Sequence, residues 1–195
     1  LRDVQAVDTY TEMLMKLAQE QGFPYWLARA AIRQGWVLTE RGQVETGITK
    51  LRQGMDTVRA AGAELGTSSI LAQLAEAYGR IGQEGEGLVL LAEALAQVEH
   101  TGERWHEAEL HRLKGELTLQ QFNVQRSTLN VTNPQPPIPN PQTEAEACFL
   151  KAIEVSRKQQ AKSLELRAAM SLARLWQRQG KKKSALRMLT DIYGW

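Results

Sequence analysis

The sequence predicts an all-α fold: an α-α superhelix, or solenoid, of about nine antiparallel helices with one proline-rich loop inserted. Three observations predict it. Small residues recur every 40 positions, apolar residues are spaced for helix faces, and five of the six prolines crowd into one stretch. A fixed period of this length marks stacked helix-pair repeats. Gly35, Ala75 and Gly115 lie 40 residues apart, and Gly42 with Gly82, Gly47 with Gly87, Leu51 with Leu91 and Gly54 with Ala94 keep that interval. Two antiparallel helices approach closely only where one side chain is very small and a bulky neighbour fills the gap beside it. Gly42, Gly82 and Gly180 fall instead at helix ends, where the chain turns through the left-handed conformation.

The elements follow in order. Residues 1–21, with a helix at 3–21, read as the second helix of a preceding unit, and the opening Leu-Arg-Asp-Val-Gln-Ala-Val reads as the middle of a helix rather than a signal peptide. The chain is therefore expected to be a piece of a larger protein. Helices at 24–41 and 44–61 make a unit over 24–61, and helices at 67–81 and 84–100 make one over 67–100. The third unit, 103–159, holds helices at 103–121 and 143–159, and the fourth, 161–193, holds 161–179 and 182–193. Together they form a single domain over 1–195.

Units three and four fix the place of the insertion. Ala173, Trp176, Gly180, Ala185 and Leu189 repeat the signature, but Ala173 follows Gly115 by 58 residues, 18 more than the period. The excess lies in 122–143, which contains prolines at 134, 136, 137, 139 and 141, a composition that no helix runs through. The stretch reads as a flexible loop, a polyproline II ligand for another domain, or a strap over the helices. Elsewhere apolar residues keep helical spacing, as in Leu110, Leu113 and Leu117 or Leu164, Leu172 and Leu175. Val, Ile and Thr form no alternating strand, save a weak hint in 122–132.

Composition narrows the function classes. With 24 basic and 22 acidic residues the net charge is only +2, so neither nucleic acid nor an anionic membrane is the expected partner. The lone Cys148 has no internal disulfide partner, which fits a reducing, cytoplasmic compartment. No apolar run approaches the roughly 18 residues of a membrane span.

The order small–aromatic–Gly–small–bulky seen from Ala173 to Leu189 resembles the tetratricopeptide repeat (TPR), in a version about 40 residues long. Three further stretches, Glu20–Ala28, Thr101–Glu116 and Gln159–Ala168, resemble the C-terminal repeat region of certain bacterial signalling proteins. In that family a cyclase-like domain and an AAA-type or STAND-type ATPase domain precede a helical array. The resemblance implies a regulatory interaction module. No phosphate-binding Gly-x-x-x-x-Gly-Lys-Ser/Thr loop and no paired-Asp metal unit of a cyclase occurs in this chain.

The TPR resemblance also implies that the first helix of each unit lines a concave, partner-binding face. The positions so implied are Arg29, Ile32, Trp36, Thr39 and Glu40 in unit one, and Ser69, Ala72, Glu76 and Arg80 in unit two. Unit three contributes Glu109, Arg112 and Glu116, and unit four Arg167, Met170, Arg174 and Gln177. Arg112 and Glu116, four apart on one helix face, are spaced to pair with each other. The Lys and Asn pattern of a carboxylate clamp is absent, and the groove suits a mixed-charge, partly apolar protein or peptide, or another domain of the parent chain.

Other residues read as structural. His106 and His111 diverge by about 140° on a helix, and His100 lies across a Thr-Gly turn, so no metal site and no cofactor are expected. Cys148 reads as a small buried filler. Trp26, Trp105 and Trp176 are expected to fill gaps between helices, and Trp195 to be exposed or docked on a neighbour. Lys181–Lys183 open the last helix against its dipole and are expected to face solvent. No nucleophile, base and orienting group assemble, so an enzyme is not expected. Two rival readings are a small-ligand sensor with an enclosed pocket near Trp36 or Trp176, and an architectural module that self-associates.

Overall fold

The computed structural model describes residues 3–128 and 140–194. The described residues form nine α-helices and no strand: α1 (Val4–Glu20), α2 (Pro24–Glu40), α3 (Val44–Ala60), α4 (Thr67–Arg80), α5 (Glu84–Thr101), α6 (Glu107–Thr128), α7 (Pro141–Lys158), α8 (Lys162–Arg178) and α9 (Lys182–Tyr193). This is an all-α, TPR-like repeat of antiparallel helix pairs. The chain divides into two compact units, 1–97 and 98–195, with the division inside α5.

Most helix ends fall where the period puts them; two do not. Asp3 is the N-cap of α1, its carboxylate accepting from the Ala6 N–H at 2.9 Å, within a residue of the expected start. Helix α6 begins at Glu107, later than expected, because the Thr101 hydroxyl accepts from the Glu103 N–H and Arg104 bonds both Glu99 and Glu107. These bonds hold residues 102–106 in a turn. At its far end α6 runs on to Thr128, since the first proline of the insertion comes only at 134. Helix α7 starts on Pro141, where the missing N–H costs nothing, and Asn140 caps it through the Gln142 N–H at 3.1 Å. The proline-rich core of the insertion, the Asn130-Val-Thr132 sequon within it, and Trp195 lie outside the described residues.

In the first unit the recurring glycines are backbone contacts between α2 and α3. A Cβ on Gly47 would sit 2.4 Å from Thr39 Cγ2 and 2.7 Å from the Gly35 carbonyl, and one on Gly54 would sit 2.5 Å from Ile32 Cγ1. Leu51 and Val58 fill the space beside them, with Ile70, Leu71 and Leu74 from α4. The second unit solves the same problem with one glycine and one ring. A Cβ on Gly115 would meet Phe149 at 2.6 Å, and Phe149, Ala152, Leu172 and Ile192 form the buried centre of α7–α9. Small residue against large is the pattern that lets helix axes approach without voids.

The hairpin turns repeat one device. At Gly42 (φ 84°) the Gln43 N–H reaches back to the Leu38 carbonyl at 2.9 Å, and at Gly180 (φ 79°) the Lys181 N–H reaches Trp176 at 2.8 Å. Between α7 and α8 the same bond runs from Ala161 to Ser156 at 2.9 Å, but the left-handed residue is Gln160 (φ 54°). A side chain there costs about 1 kcal/mol that glycine avoids. Gln160→Gly is therefore expected to raise the urea midpoint with an unchanged slope; a lowered midpoint would mean that the Gln160 side chain contributes more than its backbone costs.

The tryptophans divide. Trp176 is half-buried against the core of the second unit and donates to Glu146 at 2.8 Å. Trp26 and Trp105, expected as gap-fillers, are instead 50% and 54% exposed. Trp26 stands in the first turn of α2, edge-on to Tyr25, and Trp105 in the turn before α6, edge-on to His106 and bonded to Glu103.

Candidate functional site

The first helices of successive repeats are α2 and α4 in the first unit, and α6 and α8 in the second. Within each unit they are brought together by charges at equivalent repeat positions. In the first, Arg80 on α4 donates through Nη1 to the Thr39 carbonyl at 2.9 Å and through Nη2 to the Glu40 carboxylate; Glu76 lies 3.5 Å from the same guanidinium. Glu40 and Arg80 are one repeat, 40 residues, apart. Glu40, Glu76 and Arg80, nominated separately, are thus one cluster. Trp36 is half-buried one turn before Glu40, and its carbonyl accepts from the Thr39 hydroxyl at 2.7 Å.

In the second unit the pair at one repeat interval is Glu109 and Arg167, 58 residues apart, which is one repeat plus the insertion, though at an earlier position in its helices than Glu40 and Arg80. Arg167 meets Glu109 Oε1 at 2.8 Å. Arg112 grips both oxygens of the same carboxylate, Nε to Oε2 at 3.0 Å and Nη2 to Oε1 at 2.8 Å, and reaches Glu116 at 3.3 Å. Ser171 on α8 completes the set by donating to Glu116 at 2.6 Å. A planar guanidinium held bidentately between two carboxylates is a rigid arrangement.

Burial separates structural from presentable members of these rows. Ile32 is buried and packs where Gly54 has no side chain, so it belongs to the core and not to an open face. Arg112 and Glu109 are also buried and tie α6 to α8. Arg80, Arg167 and Glu116 keep about a third of their side chains in solvent (32%, 38% and 30%). Arg29 lies over Gly66, whose Cβ would stand 3.1 Å from its Nη1. Arg174 is exposed, and with Met170 and Gln177 it lines a groove of about 450 Å³ between α8 and α9.

Burial pushes the Cys148 thiol upward, so little thiolate is available. Burial lowers His111 despite Glu107 beside it, favouring a neutral ring. Lys181–Lys183 are exposed, and Lys181 reaches Glu146 at 3.3 Å. Ser171 is the polar partner that sequence reasoning did not single out. The signal for the rows was opposite charge at one repeat interval.

The fold and these rows define a TPR-like helical-repeat scaffold. No family model matches the sequence, and no curated protein matches it. Among solved structures the chain is similar to BtubC (BKLC) from P. vanneervenii, at 13% identity and a TM-score of 0.67, over 100% of this chain and 76% of that one. It is also similar to a putative kinesin light chain of Podosopora anserina with nearly identical TPR-like repeats, at 22% identity and a TM-score of 0.42, over 88% and 94%. The likeness to BtubC supports the fold alone. No described helix is long and apolar enough to cross a membrane.

Proposed function

We propose that this chain is a non-catalytic interaction module that holds a segment of a partner protein, or of another domain of its own parent, along the rows of its first helices. The observation that carries this reading is the pairing of equivalent positions, Glu40 with Arg80 and Glu109 with Arg167. It fixes charged side chains of both signs before any partner arrives, so little ordering cost remains to be met on binding. Trp36 adds a rigid apolar element, and the matching ligand is a mixed-charge segment with an apolar anchor.

The test is capture of partners on the immobilised chain, followed by calorimetry with the purified partner. Trp36→Ala, Arg80→Ala and Arg167→Ala together are expected to weaken binding at least about tenfold, roughly 1.4 kcal/mol. Arg112 is left intact because it is buried. An unchanged affinity in the folded triple variant overturns the assignment of these rows.

The parent is read further as a bacterial, cytoplasmic signalling protein whose cyclase-like or ATPase domains this module regulates. What supports this is the resemblance of Glu20–Ala28, Thr101–Glu116 and Gln159–Ala168 to such repeat regions. Deleting the module from the parent should change nucleotide turnover; unaltered turnover with and without the captured partner would count against it.

A further inference from the structure

On the first helices of the first unit the two signs of charge are unevenly paired. Helix α2 carries Arg29, Arg33 and Glu40, and α4 carries Glu76 and Arg80. Arg80 holds both carboxylates, bonding Glu40 and lying 3.5 Å from Glu76. Arg29 and Arg33 meet no carboxylate among the described residues. Arg33 is exposed, while Arg29 Nη1 is buried without a hydrogen-bond acceptor. A buried guanidinium N–H left without an acceptor is uncommon and costly. Arg29 also lies over Gly66 at the start of α4, where the helix dipole opposes a positive charge. Thr67 to Ala75 contains no acid, and Glu64, the acid nearest to Gly66 in sequence, is exposed. Trp26, Arg29, Arg33, Trp36 and Glu40 recur at spacings of three and four, so they share one face of α2. That face is turned toward α4, since Arg29 reaches Gly66 at one end and Glu40 meets Arg80 at the other. It lies beside the first helix of the next repeat, not on the outer side of α1 or α9.

We infer that this face binds an acidic segment of a partner protein, its carboxylates on Arg29 and Arg33 and its apolar side chains on Trp26 and Trp36. The inference rests on the reading of the chain as an interaction module and narrows the ligand in the first unit from mixed charge to acidic. With Glu40 and Glu76 already held by Arg80, the charges left to attract a ligand are both positive. A guanidinium takes a carboxylate through two parallel N–H bonds, and such a partner would give Arg29 the acceptor it lacks. The two rings stand one on each side of the arginine pair along the helix. Trp26 is 50% exposed, so a segment laid along the face removes from water a large apolar surface that the fold itself leaves open.

Selection of random peptides displayed on phage, with the full chain immobilised, tests it. The wild type is expected to recover sequences rich in Asp and Glu beside apolar residues. A chain with Arg29→Glu and Arg33→Glu should recover Lys and Arg in their place. A recovered acidic peptide, labelled and followed by fluorescence anisotropy, should bind Arg33→Gln at least about tenfold more weakly than the wild type. Added salt should weaken wild-type binding more than it weakens Arg33→Gln binding. Peptides without acid enrichment whose binding still depends on Trp36 overturn the inference and leave the interaction reading standing. Acidic peptides recovered equally by the charge-reversed chain, or bound equally by Arg33→Gln, overturn it too. Recovery of no peptide counts against both. Arg33 is exposed, so its variants should keep their helicity by circular dichroism. If the chain with both reversals loses helicity, Arg33→Glu alone replaces it and is read by the same outcomes.

Discussion

Glu109→Ala is expected to lower the stability of the second unit by about 3 kcal/mol, the lower end of the usual cost of breaking a buried ion pair, because Arg112 keeps Glu116 at 3.3 Å. The Glu109 carboxylate is 4% exposed and accepts both arms of Arg112, itself only 10% exposed, together with Arg167. Removing it leaves the Arg112 guanidinium without its bidentate partner in a place that water scarcely reaches. Arg167, at 38% exposure, recovers hydration and adds little. The measurement is urea unfolding followed by helicity. Glu109→Leu combined with Arg112→Leu should restore most of the loss, because an apolar pair of similar volume removes both charges at once. Glu40→Ala provides the contrast. Its partner Arg80 is 32% exposed, so the expected cost is under about 1 kcal/mol although each pair joins positions one repeat apart. Equal costs at Glu40 and Glu109 would show that burial does not set the difference.

Gly47→Ala is expected to destabilise the first unit by about 2 kcal/mol, as overpacking typically does. In an exposed helix the same change would stabilise by roughly 0.5–1 kcal/mol. Here the new Cβ falls 2.4 Å from Thr39 Cγ2 and 2.7 Å from the Gly35 carbonyl. A side chain can turn away, but a carbonyl on the facing helix moves only if the helices separate. Separation would loosen Leu51 and Val58, both buried beside the crossing. Gly42→Ala isolates the other role of glycine: nothing lies within 4 Å of its Cβ position, so only the φ of 84° is penalised, by about 1 kcal/mol. A Gly47→Ala chain as stable as the parent would mean that α2 and α3 do not touch through their backbones.

Much of this was legible in the sequence because repeat geometry writes itself at a fixed interval. Gly35, Gly47 and Gly54 announced the α2–α3 crossing, and Gly42, Gly82 and Gly180 announced the turns, since in each case only a small or achiral residue satisfies the backbone. The 18-residue excess between Gly115 and Ala173 placed the insertion inside the third repeat. What the pattern missed were features set by neighbours rather than by period. The reach of α6 to Thr128 depended on where the first insertion proline stands, not on where the period fails. Trp26 and Trp105 were expected between helices because large rings usually bury, yet Trp26 stands in the first turn of α2 and Trp105 in the turn before α6, each with about half its surface in solvent. The site was half-legible. Arg112 with Glu116 followed from i, i+4 spacing, and Glu40 with Arg80 or Glu109 with Arg167 follows once equivalent positions are compared for sign. Burial was not readable: Ile32 looks like a groove residue by position and is core by packing.

The central claim is that partners are held on the rows of the first helices. Hydrogen exchange of the chain with and without a captured partner tests it most directly. The account predicts added protection in α2 and α4, or in α6 and α8, with α3 and α7 unchanged. Protection confined to α3 and α7, with none on the first helices, would contradict it.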